Sequence, residues 1–381
     1  MEKRAKKEKR QRFLFNIIMI IFIVVCGAVG GQMVGSICKQ YFPEETMDLG
    51  NYLFAISGIF VIVGILIILH SYIHEVGHLI AGLMSGYRFQ SIRFGSLMFL
   101  KTENGIKVCR YTLAGTGGQC LMLPPEDKGD DYPTFLYNMG GCFINILVSI
   151  ISIICFSFCE KTSIPALIWM LSFLVGIGLA IMNGVPLSSL SNDGYNAGIL
   201  KSDVEARRAF RTQLFINNCL AKGESVKNMP KEWFGWEEKV PQNNLAASSG
   251  VMRFSYLIEC QRFEEAKALG GYLLENAVSL ADIHEQLIKA ELIFCDIILG
   301  EDTGKLKQKY EQGKKKFEPL KTLPNMQRIL FAYYSCVEKD AKKAEECLKL
   351  FDKIAKKYPY PAEMDVEREL ITLIKEKEKS A

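Results

Sequence analysis

The chain has 381 residues, 49% of them hydrophobic, with 46 Lys and Arg against 42 Asp and Glu. A net charge of +4, with no basic stripe interleaved with aromatics, argues against nucleic-acid binding. The length suffices for two domains, and charge is spread unevenly: residues 1–200 hold long uncharged runs, whereas 201–381 are dense in Lys and Glu.

Four segments reach the roughly 20 apolar residues that a bilayer span requires. The first runs from Phe13 to about Cys38, behind the basic start "MEKRAKKEKRQR". It is longer than a signal-peptide core and reads as a retained anchor. The second starts near Asn51 and runs into "HEVGH"; the third covers about Thr134–Cys159 and the fourth about Ile164–Pro186. Seven Lys or Arg lie in the first twelve residues and six lie between Tyr87 and Pro133, while the other two connections hold one each, Lys39 and Lys161. The basic segments are therefore expected in the cytoplasm, with both termini inside. His74, His78 and Asp193 then fall at one depth, at the inner ends of the second and fourth spans.

Between the second and third spans, two β-patterned runs flank "ENG", which predicts a small hairpin turning at Asn104–Gly105. Its edge is a candidate for holding an extended substrate by strand addition. "GTGGQCLMLPPE" lacks the order of a phosphate loop and is expected at the membrane edge. Beyond residue 201 amphipathic spacing predicts helices, and "RFEEAKAL" and "DAKKAEECLKLF" suggest tetratricopeptide-like hairpins that dock a partner. "ASSG" at 247–250 reads as a linker and "EQGKKKFEPLK" as a solvated basic loop. The twelve Cys show no paired ligand spacing and fit reduced thiols.

The expected fold is thus an all-α polytopic membrane core of about four transmembrane helices with a small cytoplasmic β-hairpin, plus a C-terminal cytoplasmic helical, tetratricopeptide-like domain. The segments are 1–50 (basic start and first anchor), 51–200 (core) and 201–381 (helical-hairpin domain).

In "HEVGH", His74 and His78 stand four apart, so a helix puts both imidazoles on one face, within reach of one metal ion. Glu75 projects beside that face, where such motifs place a general base. Three of the four His lie between residues 70 and 78. His70 is in register too, but about 12 Å of helix axis separates it from His78, so it reads as a polar neighbour of the site. The fourth, His284, stands alone. A zinc site usually has three protein ligands, and the candidates for the third are acidic groups near the inner face. Asp193 in "SNDGYN" is the best candidate, whereas Glu126, Asp130 and Asp131 look solvated. Asn183 near the end of the fourth span reads either as an oxyanion donor or as a helix-capping amide. Asn145 reads as an amide bridging two spans, and Pro186 as a helix end.

These residues resemble the site-2 protease family of intramembrane zinc metalloproteases. "HEVGH" matches its first motif, and Asn183, Pro186, Asp193 and Gly194 match the second in order. Gly141 and Asn145 match its middle span. The resemblance covers roughly residues 51–200. It implies Zn2+ held by His74, His78 and Asp193, Glu75 as base, and Asn183 facing the substrate carbonyl. One departure is the gap from Asn183 to Asp193, ten positions here and longer than the commoner family spacing. The expectation is an intramembrane zinc endopeptidase, integral to a bacterial cell membrane, cutting a membrane-anchored protein or hydrophobic peptide near the cytoplasmic face. The alternative is a catalytically inactive membrane regulator or immunity protein on the same scaffold. A metal transporter fits poorly, because paired discontinuous helices are missing from the pattern.

Overall fold

The computed structural model describes residues 2–41, 49–112, 117–187, 191–235, 243–276 and 280–380. The protein is mostly helical, with one small antiparallel sheet of four strands. It forms two compact units. The first comprises Met1–Arg88, Gly117–Cys120 and Tyr132–Ser202, and the second comprises Phe89–Thr116, Leu121–Asp131 and Asp203–Ala381. The first helix therefore shares a unit with the core, and most of the sheet belongs with the C-terminal helices.

The first unit holds α1 (Glu2–Tyr41), α2 (Leu49–Met84), α3 (Phe135–Phe158), α4 (Ile164–Gly184) and α5 (Asp193–Ser202). Within α1–α4, four stretches are long and apolar enough to cross a membrane. No proline interrupts α2, which ends where Gly86 takes φ +80°, a conformation suited to glycine at a helix terminus. Ser163 caps α4 by accepting from the Ala166 amide at 3.3 Å, and the helix ends just before Pro186.

The burial of α2 and α3 is inverted relative to a water-soluble bundle. Facing inward on α2 are His70, His74 and His78, and the buried residues of α3 are all small or polar apart from Tyr137. Facing outward are Phe54, Phe60, Ile65, Leu83, Leu147 and Ile154. Apolar side chains outside and hydrogen-bonding groups inside is the arrangement that a hydrocarbon solvent selects. Close helix approach makes the polar interior possible: a β-carbon on Gly77 would collide with the Gly140 carbonyl, and one on Gly140 would collide with that of Gly77.

The sheet has the order β3-β2-β1-β4, with β1 at Arg88–Phe94, β2 at Leu97–Thr102, β3 at Gly105–Arg110 and β4 at Gly118–Leu123. Two details correct the sequence reading. Thr102 pairs with Gly105, so the turn residues are Glu103 and Asn104, one position earlier than expected. The first β-patterned run is itself a hairpin, because Phe94 pairs with Leu97 across Gly95 and Ser96. Gly95 takes φ +57°, and a glycine at a turn was the signal that "ENG" overshadowed.

The second unit adds α6 (Val204–Ala221), α7 (Asn244–Glu259), α8 (Phe263–Asn276), α9 (Asp282–Leu299), α10 (Thr303–Phe317), α11 (Pro324–Ala332), α12 (Ala341–Ala355) and α13 (Pro361–Ser380). Asp203, Asn243, Asp302 and Asp340 cap their helices by accepting backbone N–H groups three residues on. Phe234, Phe254, Phe294, Phe317 and Leu330 anchor one continuous core, which includes Met98 and Leu100 of β2. The "ASSG" stretch is not a linker: it lies inside α7, with Ala247, Ser248 and Gly250 buried where bulkier side chains would not pack. Nor is "EQGKKKFEPLK" a free loop. Its first half is the last turns of α10, where three lysines face the negative end of the helix dipole, and Phe317 is buried.

Candidate metal centre

The site is built by α2, α3 and the start of α5. His74 Nε2 lies 3.1 Å from His78 Nε2. Asp193 Oδ2 lies 3.0 Å from His74 Nε2 and 3.4 Å from His78 Nε2. Both imidazoles are 8% exposed. His78 Nδ1 is 2.8 Å from the Tyr137 carbonyl, which can only accept, so His78 carries its proton on Nδ1 and bares Nε2. His78 Nε2 and the Asp193 carboxylate are thus two acceptors facing each other, with His74 Nε2 at 3.1 and 3.0 Å from them.

Does this donor set fit a metal ion? Acceptors in mutual contact repel unless a positive centre sits among them. Tetrahedral ligands about 2 Å from a zinc ion stand about 3.3 Å apart, close to the three separations here. The donors, two imidazoles and a carboxylate, are those of a zinc site that keeps a position open. The residues therefore fit the group.

Glycines shape this centre. A β-carbon on Gly141 would clash with the face of the His74 ring, and one on Gly194 would strike the Gly184 carbonyl. Glycine at 141 lets α3 press flat against the imidazole; glycine at 194 lets α5 abut the end of α4. Glu75, next to both histidines in the chain, lies against β4: a β-carbon on Gly118 would stand 2.7 Å from both Cγ and Oε1 of Glu75. The sheet edge that meets the site is therefore β4, rather than the "ENG" hairpin.

Of the residues singled out by sequence, His74, His78 and Asp193 come together and Glu75 lies beside them. Asn183 is otherwise engaged, its amide donating to the Leu179 carbonyl one turn back at 3.0 Å. Asp130 and Asp131 pair with Arg208 and Arg207 in the second unit. Three contributors were missed. Asn192 uses its whole amide to fix the turn before Asp193. Its Oδ1 accepts from the Leu187 and Tyr195 amides, and its Nδ2 donates to the Met182 and Val185 carbonyls, both at 2.7 Å. Asn before an acidic residue at a helix start is a capping signal, and read as one it would have found this role. The Cys142 thiol donates to Asp193 Oδ2 at 3.9 Å. The Tyr137 carbonyl orients His78, which no side-chain pattern could reveal.

The second unit has its own cavity of about 500 Å³, lined in part by Glu259, His284, Glu291, Arg328, Glu363 and Glu367. Burial lifts the Glu259 and Glu363 carboxyls to about 7. Comparison with protein-family models, curated proteins and solved structures returns no match.

Proposed function

We propose that the protein is an intramembrane zinc endopeptidase that hydrolyses a peptide bond in a membrane-anchored protein or hydrophobic peptide near the cytoplasmic face. One observation carries the reading: two buried imidazoles and a carboxylate, from helices far apart in sequence, bring three ligand atoms to one point beside a glutamate. His74, His78 and Asp193 would hold the zinc ion, which supplies the Lewis acidity that makes water a nucleophile at neutral pH. Glu75 takes the proton from the attacking water and delivers it to the leaving amine, a role worth about 10²–10⁴ in rate. Glu75 is half-buried against β4, which limits bulk water at the carboxylate. β4 is an edge strand of the sheet, a position that suits an unwound substrate strand, whose backbone groups need partners once its helix opens. The second unit serves as the domain that docks the cytoplasmic flank of the substrate.

The test is Glu75→Gln. Zinc content should stay at the wild-type level while cleavage of a single-span reporter with a basic cytoplasmic flank drops at least 100-fold. Cleavage at the wild-type rate would overturn the assignment. A second reading, a catalytically inactive regulator or immunity protein, is favoured by the commitment of Asn183 to Leu179 and by the long Asn183–Asp193 connection. It predicts bound zinc and no cleavage by the wild type.

A further inference from the structure

Behind the metal ligands lies a second line of buried polar groups that the proposed reaction does not use. His70, Asn145, Ser152 and Ser172 are each at most 5% exposed, and they come from α2, α3 and α4. Proton counting fixes the direction of their hydrogen bonds. Ser152 donates its one hydroxyl proton to the Val148 carbonyl at 2.8 Å. Ser172, 2.9 Å from Ser152 Oγ, must then donate to Ser152. His70 Nε2, 3.0 Å from Ser172 Oγ, must in turn donate to Ser172. The His70 ring therefore carries its proton on Nε2 and leaves Nδ1 a bare acceptor.

Two buried atoms here have no partner, His70 Nδ1 and Asn145 Oδ1. The Asn145 side chain is a polar neighbour of His70, and its Nδ2 lies 3.3 Å from His74 Nδ1. A half-turn of the Asn145 amide exchanges its oxygen and nitrogen and satisfies both orphans. Asn145 Oδ1 then accepts from His74 Nδ1–H, and Asn145 Nδ2 donates to His70 Nδ1.

We infer that His70 is a positioning residue for the metal centre: an unbroken one-way chain, His74 to Asn145 to His70 to Ser172 to Ser152 to the Val148 carbonyl, holds His74 in the tautomer that bares Nε2. The chain ties three helices together, and Gly176 makes room for it. A β-carbon there would strike Ser149 Oγ and stand 2.7 Å from His70 Cε1. Outer partners of a metal-bound histidine fix its tautomer and ring angle, and removing one costs about 10–100-fold in metal affinity.

This inference rests on the metal-centre reading, and the experiment separates the two. The full chain, purified in detergent and stripped of metal, is titrated with Zn2+ against a chelating indicator. The histidine tautomers of the metal-free protein are read by ¹⁵N NMR. Asn145→Leu should weaken zinc binding about 10–100-fold, and His70→Phe about 10-fold. The double variant should be no weaker than Asn145→Leu alone, because His70 acts only through Asn145. His70→Gln, which can both accept and donate, should recover most of the loss and covers the case in which His70→Phe does not fold. His74 should be an Nδ1–H tautomer in the wild type and a mixture in both disruptive variants. Wild-type zinc affinity in folded His70→Phe with an unchanged His74 tautomer, a His70→Gln variant that binds zinc no better than Asn145→Leu, or additive losses in the double variant, would overturn the chain. Zinc failing to bind the wild type would instead overturn the metal centre, with the tautomer measurement still deciding the chain.

Discussion

Each unit buries a polar cluster, and the two clusters balance charge in opposite ways. In the second unit the fully buried Arg328 sits between two carboxylates. Its Nη2 donates to Glu291 at 2.6 and 2.8 Å, and its Nε donates to Glu367 at 2.6 Å. Donors meet acceptors, and the cation is part of the chain. In the first unit His74, His78 and Asp193 are all acceptors once the Nδ1 protons are assigned, and among the described residues no Lys or Arg pairs with them. A buried polar cluster that supplies its own counter-charge is a structural device; one left short of a cation suits the metal ion proposed above.

The largest expected effect comes from deepening that shortfall in one unit only. Asp193→Ala removes the anionic ligand, and zinc affinity should fall by about 1,000-fold or more, read by indicator titration. The melting transition of the second unit should be unchanged. Parallel loss of both would show that the two clusters are not independent. Arg328→Leu is the converse. It strands Glu291 and Glu367 without their cation, a change that costs about 3–5 kcal/mol, and should lower the second unit's transition by about 10 °C. Zinc affinity should not move.

The clusters also differ in how far the sequence announced them. His74 and His78 were legible because a helix repeat puts residues four apart on one face. Asp193 was legible because span count and charge bias brought two distant segments to one depth. The boundaries of α3 and α4 followed from apolar runs ended by Cys159 and Pro186. Local chemistry that depends on backbone partners was not legible: the Tyr137 carbonyl on His78, the Asn192 clamp, and the Gly141 contact under His74 all arise from packing between elements. Arg328 was invisible for another reason. It sits in a charged segment, and nothing in residue order says which of many Arg and Glu turn inward. The "ASSG" reading failed because small residues serve tight helix packing as well as linkers.

Acid should sharpen the contrast between the units. Glu259 and Glu363 hold folded values of about 7 through burial, above the ordinary glutamate range. Glu363 bonds to Tyr358 and faces Glu259 and Glu367, and Glu259 accepts from the Lys227 amide and faces Glu367. The folded state therefore binds more protons than the unfolded one between the ordinary value and 7, so stability is greatest at the acid end of that window and is lost as pH rises through 7. The second unit's transition should rise by about 5 °C between pH 7.5 and 5.5, and Glu363→Gln should flatten the slope. A transition that falls with acid would mean that these carboxyls are ionised and paired in the folded state.

The smallest effect tests whether the sheet belongs energetically with the second unit. Gly105 takes φ +111°, and a β-carbon there would meet nothing within 4 Å. Gly105→Ala therefore adds no clash, and its cost is purely conformational, about 1 kcal/mol. Met98 and Leu100 of the adjoining strand lie in the second unit's core, so the loss should appear as a drop of about 2–4 °C in that unit's transition. Zinc affinity should stay within twofold of the wild type. If zinc binding weakened while the transition held, β2 and β3 would have to be reassigned to the support of β4 at Glu75, and the partition into two clusters would no longer describe where the sheet's stability is used.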